Sequence, residues 1–327
     1  MAERSPWSPL VLAEVGLVVG LGGLLAWLPE RLAYALGEGA GRLACRLDRR
    51  HREIVRDNLR QAFPERTPDE IDRMTREVFL NLGRTAADVA RSGRLLRPGG
   101  MDAVAVDGLE HLLAARSRGR GVLLLTAHFG PWEILPLVSA SRYEPVHVVA
   151  RPLDNPRLDR VITAFRERGG NRVIRKRDAV QAVLRALREG GTVGMLIDQH
   201  ITEREGTVVP FFGRPASTVS APALIALRSG AAALPILILR EPARGRYRIR
   251  IGAEVSLARG GDLKTDMAVN TARFTSAIEQ LIRERPEQWF WVHRRWKTRS
   301  PIDPRLAGNR DRGGARPRRG ADEESRI

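Results

Sequence analysis

One cysteine, Cys45, stands in 327 residues, and six histidines are scattered with no ligand spacing between them. A lone thiol excludes an intramolecular disulfide framework and a cysteine-based zinc cluster, and no metal or bound cofactor is expected. Walker and dinucleotide fingerprints after a strand are also missing, as are an internal repeat, a helix-turn-helix signature and an interleaved aromatic and basic platform. Nucleotide-driven chemistry is therefore not indicated, and a nucleic-acid partner is not expected. Acidic residues are scarce relative to basic ones, 38 against 55, which leaves a formal net charge of +17. Such an excess by itself favours any polyanionic partner: nucleic acid, an anionic membrane surface, a phosphorylated lipid or an acidic carrier protein.

Long apolar runs are few. Leu10 to Leu28 is apolar apart from Glu14, and Val15 to Leu28 carries no charge. As a helix this covers roughly 21 to 28 Å against about 30 Å of hydrocarbon, so residues 1–30 are read as an anchor that crosses or sits deep in the membrane. Glu14 lies near one end, within reach of headgroups. Ala33-Tyr34-Ala35 imitates a signal-cleavage site. Against cleavage, Arg31, Arg42, Arg46, Arg49, Arg50 and Arg52 follow the run, and that density keeps the C-terminal side in the cytoplasm.

Residues 31–100 have helical periodicity and read as an amphipathic lead-in, with Thr67 as an N-cap and Pro68 in the first turn. From 101 to 304 short apolar runs alternate with amphipathic stretches, the pattern of an α/β fold with a central mixed sheet flanked by helices. Strands are expected at 121–126, 146–150, 192–197, 234–239 and 247–251, and helices at 132–140, 156–168, 179–188, 219–228 and 267–285. Residues 305–327 are Gly, Arg, Asp and Pro with almost nothing apolar and read as a disordered basic tail.

The run Gly121 to Thr126 delivers His128, Gly130, Pro131 and Glu133 into a strand-to-helix turn. His128 then lies at a strand's C-terminal end, where open α/β sheets place ligands. On one continuous helix His128 and Glu133 would point about 140° apart. With a turn between them, the carboxylate can fold back and fix the imidazole tautomer, giving a general base and its orienter with no serine or cysteine nucleophile. The plainer alternative is a histidine that caps a helix and a glutamate that complements its dipole.

His128 with Glu133 resembles the His-x4-Asp/Glu motif of glycerolipid acyltransferases. Three further blocks narrow the likeness: Arg52, Ile54, Asn58, Leu59, Ala62, Phe63, Pro64 and Glu65; then Asp198-Gln199 with Pro210-Phe211-Phe212-Gly213; then the run Pro286 to Lys297. In that order they resemble the late acyltransferases of lipid A biosynthesis, from the N-terminal anchor to about Ser300. Pro131, where that family often has Asn, and His200 after the Asp-Gln pair depart from its usual pattern.

The resemblance implies a fatty acyl chain moved from an acyl carrier protein thioester to the hydroxyl of a 3-hydroxyacyl chain on a phosphorylated glycolipid, at the cytoplasmic face of a bacterial inner membrane. It implies His128 as base, Glu133 as its partner and Arg151 as a group for a lipid phosphate or the developing oxyanion. Asp198 either orients Arg151 or ends a strand. A lysophospholipid or phosphatidylinositol mannoside acceptor with a coenzyme A donor is the nearest alternative, and a non-enzymatic basic protein that binds anionic membrane or nucleic acid through its Arg-rich segments is the alternative from another class. Asn155-Pro156 is explained as a helix cap. Phe211-Phe212 is either tunnel lining or core, and Trp289, Trp291 and Trp296 suit either a membrane interface or a closing strand.

Overall fold

The structure is a computed structural model that describes residues 8–175, 179–297 and 300–307. Four helices come first: α1 (Pro9–Trp27), α2 (Glu30–Leu47), α3 (Arg49–Ala62) and α4 (Pro68–Arg91). Helix α1 is long and apolar enough to cross a membrane, with a mean hydropathy of 2.1, and 11% of it is buried by the rest of the protein. Its polar tie is internal: Glu14 Oε2 and the Val11 carbonyl accept from Asn155 Nδ2 at 2.8 and 3.2 Å, so Glu14 faces protein. Helix α4 begins as expected, with the Thr67 hydroxyl accepting from Glu70 N and the Glu70 carboxylate from Thr67 N.

Helices α2 and α4 approach closely because small residues meet. A Cβ on Gly83 would lie 1.9 Å from the Gly37 carbonyl oxygen, and one on Gly41 would lie 2.3 Å from that of Phe79. Under the contact, the buried Asp88 carboxylate accepts from the hydroxyls of Tyr34 and Tyr247 and from Arg240 Nε, joining helices to sheet.

The remainder is β1 (Val104–Asp107), α5 (Leu109–Arg116), β2 (Val122–Thr126), α6 (Leu135–Arg142), β3 (His147–Ala150), α7 (Pro156–Arg166), β4 (Arg172–Arg175), α8 (Ala179–Arg188), β5 (Thr192–Leu196), β6 (Gly206–Phe211), β7 (Arg214–Val219), α9 (Ala221–Ser229), β8 (Ala232–Arg240), β9 (Tyr247–Ile251), α10 (Leu263–Glu284) and α11 (Pro304–Ala307). Seven strands form one mixed sheet in the order β1-β9-β8-β2-β5-β3-β4, parallel throughout except for β8 against β9. Apolar clusters cover both faces, as expected for a sheet wound on both sides by helices.

The five expected strands are present. The edge strands β1 and β4 and the β6–β7 hairpin are additions. Phe211 and Phe212 sit at that hairpin's turn, buried in the core and 4.8 Å apart, with Phe212 at φ 52°. Of the tail expected at 305–327, residues 305–307 belong to α11 and 308–327 lie outside the described residues.

Candidate active site

Strands β2 and β5 are parallel, with Thr126 opposite Leu196 and Ile197 N donating to the Thr126 carbonyl at 3.0 Å. Two residues further on, that register sets His128 beside Asp198. The imidazole Nδ1 is 2.9 Å from Asp198 Oδ1, and His128 N donates to Oδ2 at 2.9 Å. Trp289 Nε1 donates to the same Oδ2 at 2.7 Å. An ionised carboxylate only accepts, so this geometry puts the imidazole proton on Nδ1 and leaves Nε2 bare. The Gln199 amide nitrogen lies 3.4 Å from Nε2.

Burial favours neutral forms at both members of the pair, and their mutual charge overrides it. Burial pushes the His128 pKa down, yet the Asp198 carboxylate, with a smaller contribution from Glu133, carries it above the ordinary imidazole value. Burial likewise pushes Asp198 up, while the charge and hydrogen bonds of His128 hold it well below the usual carboxylate range.

The orienting carboxylate is therefore Asp198, and the expected fold-back of Glu133 onto His128 is corrected. Pro131 does not start an α-helix: Trp132–Ile134 is a 3-10 turn that leads into α6. From there Glu133 faces α7, accepting from Arg166 Nε at 2.8 Å and Arg166 Nη2 at 2.5 Å. Glu133 acts on His128 by charge across the site rather than by contact. Arg151 is not held by Asp198 either; it is 72% exposed at the rim, 3.7 Å from Asp154.

Supporting residues come from distant parts of the chain. Gly130 N donates to the Gln288 carbonyl and Phe290 N to the His128 carbonyl, both at 2.9 Å, so the loop after β2 is clamped by the segment after α10. Gly130 has φ 53°, and a Cβ there would meet the Ile238 carbonyl at 2.5 Å, so only glycine fits. Asn58 Nδ2 donates to the carbonyls of Trp291 and His293 at 2.7 Å, which brings the Arg52–Glu65 block onto the Pro286–Lys297 block. Trp289 and Trp291 are accordingly core residues, not interface residues: both are fully buried, and their indole N–H groups go to Asp198 and the Pro286 carbonyl. Trp289 makes a single antiparallel bridge to Phe129 and Trp291 lies in a turn, so the segment is a one-residue bridge rather than a closing strand.

A cavity of about 670 Å³ opens beside His128, within the range of small-molecule sites. Its walls include Leu124, Leu135, Val148, Leu196 and Ile236, while Glu133, Arg151, Arg166 and Gln199 stand with His128 among its polar lining. Strand β3 pairs with β5 at His147↔Val193 and Val148↔Gly194, and residues beyond that pairing on both strands, Val149 and Ala150 on one and Met195 and Leu196 on the other, line the cavity. The site thus joins a bare basic nitrogen to an apolar chamber edged by two guanidinium groups.

Arg166 and the role of Trp289 were not read from the sequence. Arg166 carries no local signal among so many arginines, and nothing local to Trp289 marks Asp198, 91 residues away, as its partner.

A family model described as bacterial lipid A biosynthesis acyltransferase matches residues 7–298. A lipid A biosynthesis lauroyltransferase of Escherichia coli (strain K12) is 30% identical over 290 residues, 86% of this chain and 91% of that protein. A palmitoleoyltransferase of the same organism and pathway is 29% identical over 283 residues, 86% and 90% of the two chains. A phosphatidylinositol mannoside acyltransferase of Mycolicibacterium smegmatis is 25% identical over 298 residues, 86% and 92%.

Proposed function

Because the chain belongs to the bacterial lipid A biosynthesis acyltransferase family, whose members are O-acyltransferases, we propose that it moves a fatty acyl chain from an acyl carrier protein thioester to a hydroxyl of a 3-hydroxyacyl chain on a phosphorylated lipid A precursor. The observation that carries this reading is the bare Nε2 of His128 opening onto an apolar cavity, with its tautomer set by Asp198. His128 Nε2 takes the hydroxyl proton as the oxygen attacks the thioester carbonyl carbon. The tetrahedral intermediate collapses with cleavage of the C–S bond, and the imidazolium returns its proton to the departing thiolate. General-base assistance of this kind contributes about 10² to 10⁴ in rate, with positioning and charge stabilisation supplying the rest.

Asp198 stabilises the imidazolium formed during transfer. Arg166, held by Glu133, sets a fixed positive charge at the cavity where the oxyanion develops, and the exposed Arg151 at the rim suits a lipid phosphate. The net charge of +17 suits an anionic membrane, a phosphorylated acceptor and an acidic carrier together. Helix α1 anchors the catalytic groups to the cytoplasmic face of the inner membrane, with Arg31 and the arginines of α2 and α3 on that side.

The test is transfer from labelled acyl carrier protein to purified lipid A precursor in detergent. Wild type makes product, and His128→Ala, assayed well below its Tm in protein shown to be folded, loses about 10² to 10⁴ of kcat. Undiminished turnover by His128→Ala would remove the mechanism. Product made only with a coenzyme A donor, or only with a mannosylated phosphatidylinositol, would keep the chemistry and reassign the substrates.

A further inference from the structure

A glycine inside a strand weakens it and marks a bulge, a bend or the close approach of another group. Gly194 is the middle residue of β5, an inner strand of the sheet. Its backbone does not require glycine, since it is not among the residues with positive φ. Crowding does not require it either: a Cβ there would meet nothing nearer than the His147 carbonyl oxygen at 3.9 Å, an ordinary contact. What lies over Gly194 is the cavity. In register beside it are Leu124 on β2 and Val148 on β3, and all three line the same chamber. Paired residues on neighbouring strands share a face, so this row crosses the cavity wall with a side chain missing at its centre.

The same face of β5 carries Leu196 toward the catalytic end and Thr192 toward the other, separated by about 13 Å at the usual rise of a parallel strand. At the Thr192 end the lining becomes polar. Thr192 Oγ1 donates to Glu144 Oε1 at 2.7 Å, and Arg116 Nη2 donates to Glu144 Oε2 at 2.5 Å. A hydrocarbon chain entering beside His128 therefore runs along apolar wall past Gly194 and stops at a hydrogen-bonded carboxylate, whose desolvation by further methylenes is unfavourable.

We infer that Gly194 sets the length of acyl chain this enzyme accepts: its absent side chain is the passage to the deep half of the cavity, and the Thr192–Glu144 pair is the floor. The inference rests on the acyl-transfer reading of the site and names its specificity-determining residue. A side chain at 194 closes the passage in proportion to its size, and each methylene denied burial lowers affinity by about fourfold.

The experiment uses the full chain with Gly194→Ala, Gly194→Val and Gly194→Leu, and two readouts. One is turnover with octanoyl, decanoyl, lauroyl, myristoyl and palmitoyl thioesters. The other is displacement of a fluorescent fatty acid by the corresponding free acids, which needs no turnover. The expected result is a preferred chain that shortens stepwise from Ala to Leu. Gly194→Leu should lose at least about tenfold on the wild type's best donor and stay within about threefold of wild type on shorter ones. Tm should equal or exceed that of wild type, because a side chain favours the strand. An unchanged length profile in folded variants, or an equal loss on every chain, would overturn the assignment. Transfer with an unchanged profile leaves the enzyme reading standing without Gly194. Length-dependent binding that shifts with residue 194 in a protein that transfers nothing keeps the chain site and removes the reaction.

Discussion

Asp88 and Asp198 are both buried carboxylates with several donors around them, and they serve different ends because their partners differ. Asp88 sits where α2 and α4 meet β8 and β9, held by two tyrosine hydroxyls and the Arg240 guanidinium. Burial, with the nearby Asp88 charge, pushes both phenol pKa values up, so Tyr34 and Tyr247 stay donors, and the arginine charge is permanent. That joint ties the helices to the sheet and acts as scaffold. Asp198 has donors of comparable quality, yet one of them is an imidazole with its second nitrogen bare at a cavity. Replacing a permanent cation by histidine turns the same buried arrangement into one that can take and return a proton.

The sharpest way to break this contrast is Asp198→Asn. Oδ2 already accepts from His128 N and Trp289 Nε1, so the amide oxygen must take that place and the amide nitrogen must face the imidazole. His128 is then forced to carry its proton on Nε2 and cannot act as a base. The expected loss in kcat is about 10³ to 10⁴. With the carboxylate charge gone, the acid limb of the residual kcat/KM profile moves to lower pH, because Asp198 is what raises the His128 pKa. A pH–rate series checks both, and an unmoved limb would mean that Asp198 is scaffold like Asp88.

Next in size is Arg240→Met, which leaves the Asp88 charge with phenols alone. Breaking a buried pair in this way costs about 3 to 5 kcal/mol of stability. Thermal unfolding in detergent should show a large drop in Tm, while acyl transfer measured well below that temperature stays near wild type. Lost transfer in still-folded protein would place the joint in the catalytic machinery.

The smallest effect concerns His293, which lies near both charges of the site. Burial, reinforced by Arg295 and His128, holds its pKa down to about 4 although Asp198 pulls the other way. The folded protein keeps this ring neutral, whereas the unfolded chain takes up a proton below about 6.5. Stability due to this group is therefore complete above that pH and falls as pH drops toward 4, by roughly 3 kcal/mol in all. Denaturation of wild type and His293→Phe at pH 7.5 and pH 5 should show a flatter pH dependence in the variant. His128, whose pKa is raised, contributes with the opposite sign and is common to both proteins, so the difference isolates His293.

Local chemistry carried part of this structure legibly. Thr67 and Glu70 form a capping box, and Asn155 caps α7 by accepting from Arg157 N and Leu158 N at 3.1 Å, because such caps need only neighbours along the chain. The apolar run before His128 announced a buried strand and put the imidazole at its end. Strands β1 and β4 were not legible: each has four residues with charged or polar members, too short for an alternation to stand out. The β6–β7 hairpin turns on Phe212-Gly213, with no Asn-Gly or Asp-Gly pair to mark it. Trp289, Trp291 and Trp296 suited an interface or a closing strand in sequence; in the fold Trp289 and Trp291 are core and Trp296 is half-buried, and their indole N–H groups donate to Asp198 and to the Pro286 and Phe211 carbonyls.

The sequence by itself determined which segments are apolar, where the helices begin, and that a histidine ends a buried strand with a likeness to lipid A acyltransferases. Tertiary structure decided which carboxylate that histidine meets. His128 and Glu133 are neighbours in the chain, but a turn aims the glutamate at Arg166, while the register of β2 on β5 brings Asp198 from 70 residues away. Strand pairing is a long-range choice made by the packing of two sheet faces at once, so no local pattern around His128 encodes its partner.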